Sequence, residues 1–251
     1  MEQIPSNLPV MDESKPGPAG WFQTWMKAVT KPNEQTFIEI TESPSANNRT
    51  TFIWVFIAGT ISGILQAILR TIYIATGIGP QLSSIPGFEQ FTPPPSTGSD
   101  GGSIAIALVV SLCASPLAGL LSMLFFAIFA AIVQWIAKMF GGVGDFEKMA
   151  HAFAAITVPF TIVSGVLSLF SAIPFVGTCF GIISLGLAIY AFVLQAMAVK
   201  GVNRFGWGPA IGSLLIPVLV ILVSCCCVVF AGFAVLGPVI RDTFNGLQFA
   251  P

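Results

Sequence analysis

Residues 103–139 read SIAIALVVSLCASPLAGLLSMLFFAIFAAIVQWIAKM, and are followed by Phe140-Gly141-Gly142-Val143-Gly144 and a charged group, Asp145, Glu147 and Lys148. As one helix the apolar run would be ~55 Å long at about 1.5 Å per residue, nearly twice a hydrocarbon core of ~30 Å. Pro116 divides it into a lead of roughly a dozen residues, too few to cross, and a piece from Pro116 to Ala137 that is long enough. Length therefore predicts one crossing with an interfacial or kinked lead-in. The alternative is two crossings.

Working outward, four further apolar blocks predict spans at about 52–76, 149–172, 175–199 and 209–236, beside 104–138 for the block above. The Gly-Pro and Ser-rich residues 77–103 read as a loop. Ile173-Pro174 reads as the corner of a tight helical hairpin. Charge tests the count, because short cytoplasmic loops carry an excess of Lys and Arg. With five crossings and a cytosolic N-terminus, Lys15, Lys27, Lys31, Arg49, Lys138, Lys148, Lys200 and Arg204 fall on the cytoplasmic side, eight of the ten basic residues. A sixth crossing would put Lys138, Lys148, Lys200 and Arg204 outside. The expected fold is thus all-α, a polytopic membrane bundle of five transmembrane helices. Residues 1–50 form a cytosolic segment, 51–236 the membrane domain and 237–251 a short outer tail.

Composition agrees with this solvent. Apolar residues make up 55% of the 251 residues and charged ones 8%, against roughly 25% charged in a soluble domain. A formal net charge of −1 removes the case for a nucleic-acid surface. A single histidine, His151, excludes multi-histidine metal sites and the HExxH helix. No cofactor, metal or catalytic residue is expected, since one His and the available acids assemble no activated nucleophile. His151, Asp145, Glu147 and Lys148 read together as a solvated helix start, with the two acids favourable at the dipole.

Within the first 50 residues Trp21, Phe22, Trp25, Met26 and Val29 recur at helical spacing. This predicts a short amphipathic helix in the membrane interface, with Trp21, Phe22 and Trp25 as the contact residues. A helix docked on protein is the other reading. GxxxG steps at Gly59 and Gly63, Gly177 and Gly181, and Gly208 and Gly212 predict close helix contacts, within the bundle or between copies in a homo-oligomer. Pro116, Pro159 and Pro217 are candidate helix kinks. Cys113, Cys179 and Cys225 to Cys227 read as packing residues within spans. Asn48-Arg49-Thr50 matches a glycosylation sequon, but the expected topology puts it in the cytosol.

Phe140-Gly141-Gly142-Val143-Gly144-Asp145-Phe146-Glu147-Lys148 leads into Ala154-Ala155-Ile156-Thr157-Val158-Pro159. Lys31-Pro32 stands before Phe37-Ile38-Glu39-Ile40, and Ala198-Val199-Lys200-Gly201 closes the fourth block. Over residues 20–236 this pattern resembles the Yip1 family, in its shorter prokaryotic form. The resemblance implies a five-span helical bundle with a cytosolic N-terminus. Eukaryotic members are associated with vesicle traffic, Rab-type GTPases and the shaping of Golgi and endoplasmic-reticulum membranes. This chain lacks their Asp-Leu-Tyr-Gly-Pro type segment, so small-GTPase binding does not carry over. The location implied is the plasma membrane in a prokaryote, or Golgi or endoplasmic reticulum in a eukaryote.

The functional expectation is a non-enzymatic protein that organises the lipid bilayer or a membrane or cytosolic protein partner. Its rival is a channel or transporter for a small neutral solute, lined by Gln66, Gln134 and Gln195 and opened at Pro159 and Pro217. The near absence of intramembrane charge favours the first. Arg70 can extend its guanidinium to the outer interface.

Overall fold

The computed structural model describes residues 18–76, 101–171, 173 and 176–248. Of the loop expected at 77–103, residues 77–100 lie outside the described residues, as does the Pro174 corner, while Gly101, Gly102 and Ser103 already belong to a helix. Among the described residues seven helices follow one another, α1 (Pro18–Thr30), α2 (Glu34–Glu42), α3 (Asn48–Thr76), α4 (Gly101–Met139), α5 (Phe146–Phe170), α6 (Val176–Asn203) and α7 (Trp207–Gln248). Five stretches are long and apolar enough to cross a membrane, Asn48–Thr76, Ile104–Met139, Phe146–Phe170, Val176–Asn203 and Trp207–Cys227. The chain is an all-helical, five-span polytopic bundle.

Residues 103–139 form one span. α4 continues through Pro116 without a break. Proline lacks the N–H that would bond the carbonyl four residues back, Leu112 O. The Ser115 hydroxyl donates to that oxygen at 2.7 Å, so the group freed by proline is satisfied inside the helix. The lead-in therefore extends the span rather than folding aside. At the other end of the chain α7 stays helical to Gln248, past the boundary at 236 that apolarity alone predicts.

The N-terminal segment holds two helices where periodicity predicts one. Asn33 starts α2 by accepting the Gln35 N–H on its side-chain oxygen at 2.6 Å. Thr36, Phe37, Ile40 and Thr41 form its buried face. Asn47 does the same for α3, its Oδ1 accepting from Thr50 N at 2.8 Å. The Glu147 carboxylate of α5 accepts the Asn48 N–H at 2.8 Å, so one acid satisfies an orphan donor of a neighbouring helix.

Burial is lopsided along the bundle. The core consists of Ala28, Phe37 and Ile40 of α1 and α2, Trp54, Val55 and Ala58 of α3, Phe126, Ala130, Val133 and Ala137 of α4, residues from Met149 to Ile156 and Val158 of α5, Leu194, Ala196, Ala198, Val199 and Val202 of α6, and Ala210 and Leu214 of α7. These segments all lie at the end that α1 and α2 cover, which we call the capped end. α5 is buried on every side there, because Ala150, Ala152, Ala154 and Ala155 let neighbouring helices approach its backbone. Toward the other end the helices present Ile182, Leu185, Ile189 and Leu219 outward, as a lipid-facing surface does.

α3 and α4 meet closely at Gly59, Gly63 and Gly119. A β-carbon on Gly59 would lie 2.7 Å from Ser122 Cβ, and one on Gly63 would lie 3.2 Å from Ala118 Cβ. Gly119 faces Thr60 and the Phe56 carbonyl. The first GxxxG step thus packs within the bundle.

Candidate functional site: the capped end

An aromatic cluster joins α1 to the bundle. Trp54, on α3, is 1% exposed. Trp21 and Trp25 approach it edge-on with ring centroids 6.1 and 5.5 Å away, and His151 lies 4.8 Å away on its other side. The Thr51 hydroxyl lies 3.0 Å from Asn47 O and is hydrogen-bonded to His151 Nδ1 at 2.9 Å. His151 Nε2, Trp25 Nε1 and Trp54 Nε1 are buried with no hydrogen-bond partner among the described residues. The histidine is fully buried. That corrects the reading of it as part of a solvated helix start, because its ring packs under Trp54 one turn into α5.

α1 lies beside the spans rather than above them. Its Val29 carbonyl accepts from the Tyr190 hydroxyl, in the middle of α6, at 2.7 Å. Ala28 is completely buried, while Phe22 is 60% exposed and Met26 is exposed with it. Of the three expected membrane-contact residues, Trp21 and Trp25 turn inward to cover Trp54, and Phe22 alone faces out. Helical spacing found the apolar face but could not tell which of its residues meets protein.

Among the described residues three ion pairs hold the cap: Lys27 to Glu39 at 2.7 Å between α1 and α2, Lys200 of α6 to Glu34 of α2 at 2.6 Å, and Arg204, just past α6, to Glu42 of α2 at 3.4 Å. The hydrogen bond from Lys27 holds the Glu39 carboxyl below the ordinary carboxylate range, against a smaller opposing effect of burial. A depressed carboxylate contributes stability above its unfolded value and loses it as pH falls through the folded one. The α1–α2 contact is thus expected to loosen modestly in acid, by under about 1 kcal/mol since both side chains are well exposed. Protease susceptibility of the residue 31–33 link, compared at neutral pH and at pH 4, reads this, and Glu39→Gln should remove the difference.

The glycine turn between α4 and α5 is clamped by two buried amides. Asn203 Oδ1 accepts from Gly144 N at 3.2 Å and from Gln134 Nε2 at 3.1 Å, and Gln134 Nε2 also donates to Gly144 O. Asn203 Nδ2 donates to Val199 O at 3.1 Å. Gly141 has φ +87°, which favours glycine, and β-carbons on Gly142 or Gly144 would collide with Asn203 or Val202. Nothing in the sequence marks Asn203 as special. Its role depends on a contact 59 residues away with Gly144.

Beside this turn is a hollow of about 230 Å³, bordered by Thr41 and Glu42 of α2, Asp145 at the N-cap of α5 and Lys148 within it, Val202 of α6 and Arg204 just past the end of α6. Its charges are of both signs. Trp135 and Trp207 face outward near the same level, Trp207 with Lys200 Nζ 5.1 Å from its ring centroid, as an aromatic belt at a membrane boundary requires.

The other predicted residues are more scattered. A β-carbon on Gly177 would lie 2.8 Å from Ser171 O, and one on Gly212 would lie 3.5 Å from Phe140, whereas Gly181 and Gly208 have open space before them. Pro116, Pro159 and Pro217 lie inside α4, α5 and α7. The three glutamines expected along a solute path do not share a cavity: Gln134 is locked in the clamp, Gln66 is exposed on α3, and Gln195 is half-buried on α6. No group of three or more His, Cys, Asp or Glu that could hold a metal occurs among the described residues.

No curated protein and no solved structure matches the chain. The family model described as Yip1 domain matches residues 26–228, a range that takes in the last five residues of α1, all of α2, the clamped turn and the five spans. The chain belongs to the Yip1 family.

Proposed function

We propose that this multi-pass protein acts without catalysis, organising the membrane around it by occupying one leaflet more than the other. The observation that carries this is the placement of α1 and α2 alongside the capped ends of α3, α5 and α6, with Phe22 and Met26 turned outward. Two extra helices enlarge the cross-section at that depth only, and an amphipathic helix whose apolar side chains enter the headgroup boundary responds to curvature. Lys27, Lys31, Arg49, Lys138, Lys148, Lys200 and Arg204 gather at the same end, which supports a cytosolic orientation for it and an attraction to anionic headgroups.

The test is reconstitution into vesicles of fixed lipid composition. The full chain is expected to shift the population toward smaller or tubular vesicles, and Phe22→Ser with Met26→Ser should weaken that shift. Both positions are exposed, so the fold should survive the change. Indistinguishable vesicle sizes for the two proteins and for empty controls would remove the reading.

A second reading, docking of a cytosolic protein, is favoured by the mixed-charge hollow between α2 and the glycine turn. Crosslinking from native membranes, with and without residues 1–45, tests it. A specific protein lost on truncation would support it, and capture of nothing but lipid would count against it.

A further inference from the structure

α4 and α5 both lean on α3 but diverge from each other, leaving an apolar groove of about 420 Å³ at mid-span. Val55, Ala58 and Gly59 form its floor, Leu121 and Phe125 stand on the α4 side, and Thr161 on the α5 side. Toward the capped end the stacked rings of Phe129 and Phe153, with centroids 6.0 Å apart, join α4 to α5 and close it. Toward the other end the two helices connect through α3 instead: Gly63 faces Ala118 and Ser115 of α4, and Gly165 faces Leu65. The groove is therefore blind at one end and leads toward the leaflet opposite α1 and α2.

Beyond Gly59 this face of α3 meets α4 at Gly63 and is exposed again at Gln66. Gln66 and Arg70 follow Gly59 on the same face, Arg70 about three turns on, or ~16 Å along the axis. One leaflet of a ~30 Å hydrocarbon core is ~15 Å deep. Both side chains are exposed. Arg70 is the one charged residue in the described parts of α3 to α6 at that end, and it has no ion-pair partner among the described residues. A cation thus stands ~16 Å along α3 from Gly59 and ~22 Å from Val55, the deepest part of the floor.

We propose that this groove binds one acyl chain of a phospholipid from the leaflet opposite α1 and α2, with the lipid phosphate on Arg70. The chain terminus rests near Gly59 and Phe126, below which the Phe129–Phe153 pair blocks further entry. Hydrocarbon fills the groove in a solvent that excludes water, and the guanidinium selects an anionic headgroup over an uncharged one. This site is independent of the shaping role proposed for α1 and α2.

The experiment uses the full chain in phosphatidylcholine vesicles doped with phosphatidylglycerol that carries a photoreactive diazirine near the end of one acyl chain. A parallel sample carries the diacylglycerol with the same chain. Labelling is expected to concentrate on residues 118–126 and 157–161, and to be stronger for the phospholipid. Arg70→Gln should reduce phospholipid labelling there by about fivefold, the order expected for one cation near an anionic headgroup. Arg70→Lys should restore most of it. Thr161→Phe, which fills the groove from the α5 side, should abolish labelling by both probes while circular dichroism stays unchanged. Labelling spread evenly over the outward positions of α6 and α7, or equal for both probes and indifferent to Arg70→Gln, would overturn the proposal.

Discussion

Trp54→Ala is expected to destabilise the chain by about 3–5 kcal/mol, the range for truncating a large buried aromatic, and to detach α1. Trp54 is the largest fully buried side chain. It is also the surface on which Trp21, Trp25 and His151 all pack. Truncation leaves a cavity between three helices and removes the aromatic contacts that seat α1. Two readouts separate the consequences: unfolding in mixed micelles reports total stability, and hydrogen exchange over residues 21–30 reports whether α1 is docked. Both should move. A fall in stability with α1 still protected would mean that Tyr190 and Ala28 hold the helix without Trp54.

Asn203→Leu is expected to cost about 4 kcal/mol, since it strands two buried groups at about 1–3 kcal/mol each and forces a bulkier side chain against the turn. The stranded groups are the Gly144 N–H and part of the Gln134 amide. Gln134→Leu alone should also be costly. The double variant should cost less than the sum of the singles, because removing both partners of a buried polar contact leaves fewer unpaired groups than removing one. Unfolding of the three variants under the same conditions gives the coupling. Simple additivity would show that the two amides act separately and that the turn is held by Val143 and its bond to Asn203 O instead.

The five spans are legible in the sequence because hydrocarbon imposes length and apolarity on each segment separately. The long second block needs charge as well: a single crossing keeps Lys138, Lys148, Lys200 and Arg204 together, and the structure brings all four to the capped end. Ser115 shows why Pro116 does not split the helix, but a serine before a proline is too common to be read that way in advance. Gly59 and Gly63 lie against α4, an approach that small residues allow.

What lay beyond the sequence depends on pairs distant along the chain. Trp21 and Trp25 look like interface residues until Trp54 is placed beneath them. His151, adjacent to charged residues in sequence, lies inside because α3 and α5 cross at that point. α2 carries a readable start, Asn33 followed by Glu34, and apolar positions at Phe37 and Ile40, yet nine residues are short for a periodicity signal. The Gln134–Asn203 clamp has no local signature at all. It arises where the ends of α4 and α6 meet the glycine turn.

The depth of position 22 reports whether α1 is seated in one leaflet against the spans. A dye attached at Phe22→Cys in an otherwise cysteine-free full chain, reconstituted in vesicles, can be quenched from either phase. With α1 so seated, quenching is strong by lipids that carry a quencher high on the acyl chain and weak by a water-soluble one, with the reverse pattern for a dye at Lys31. Quenching of position 22 from water alone would contradict it.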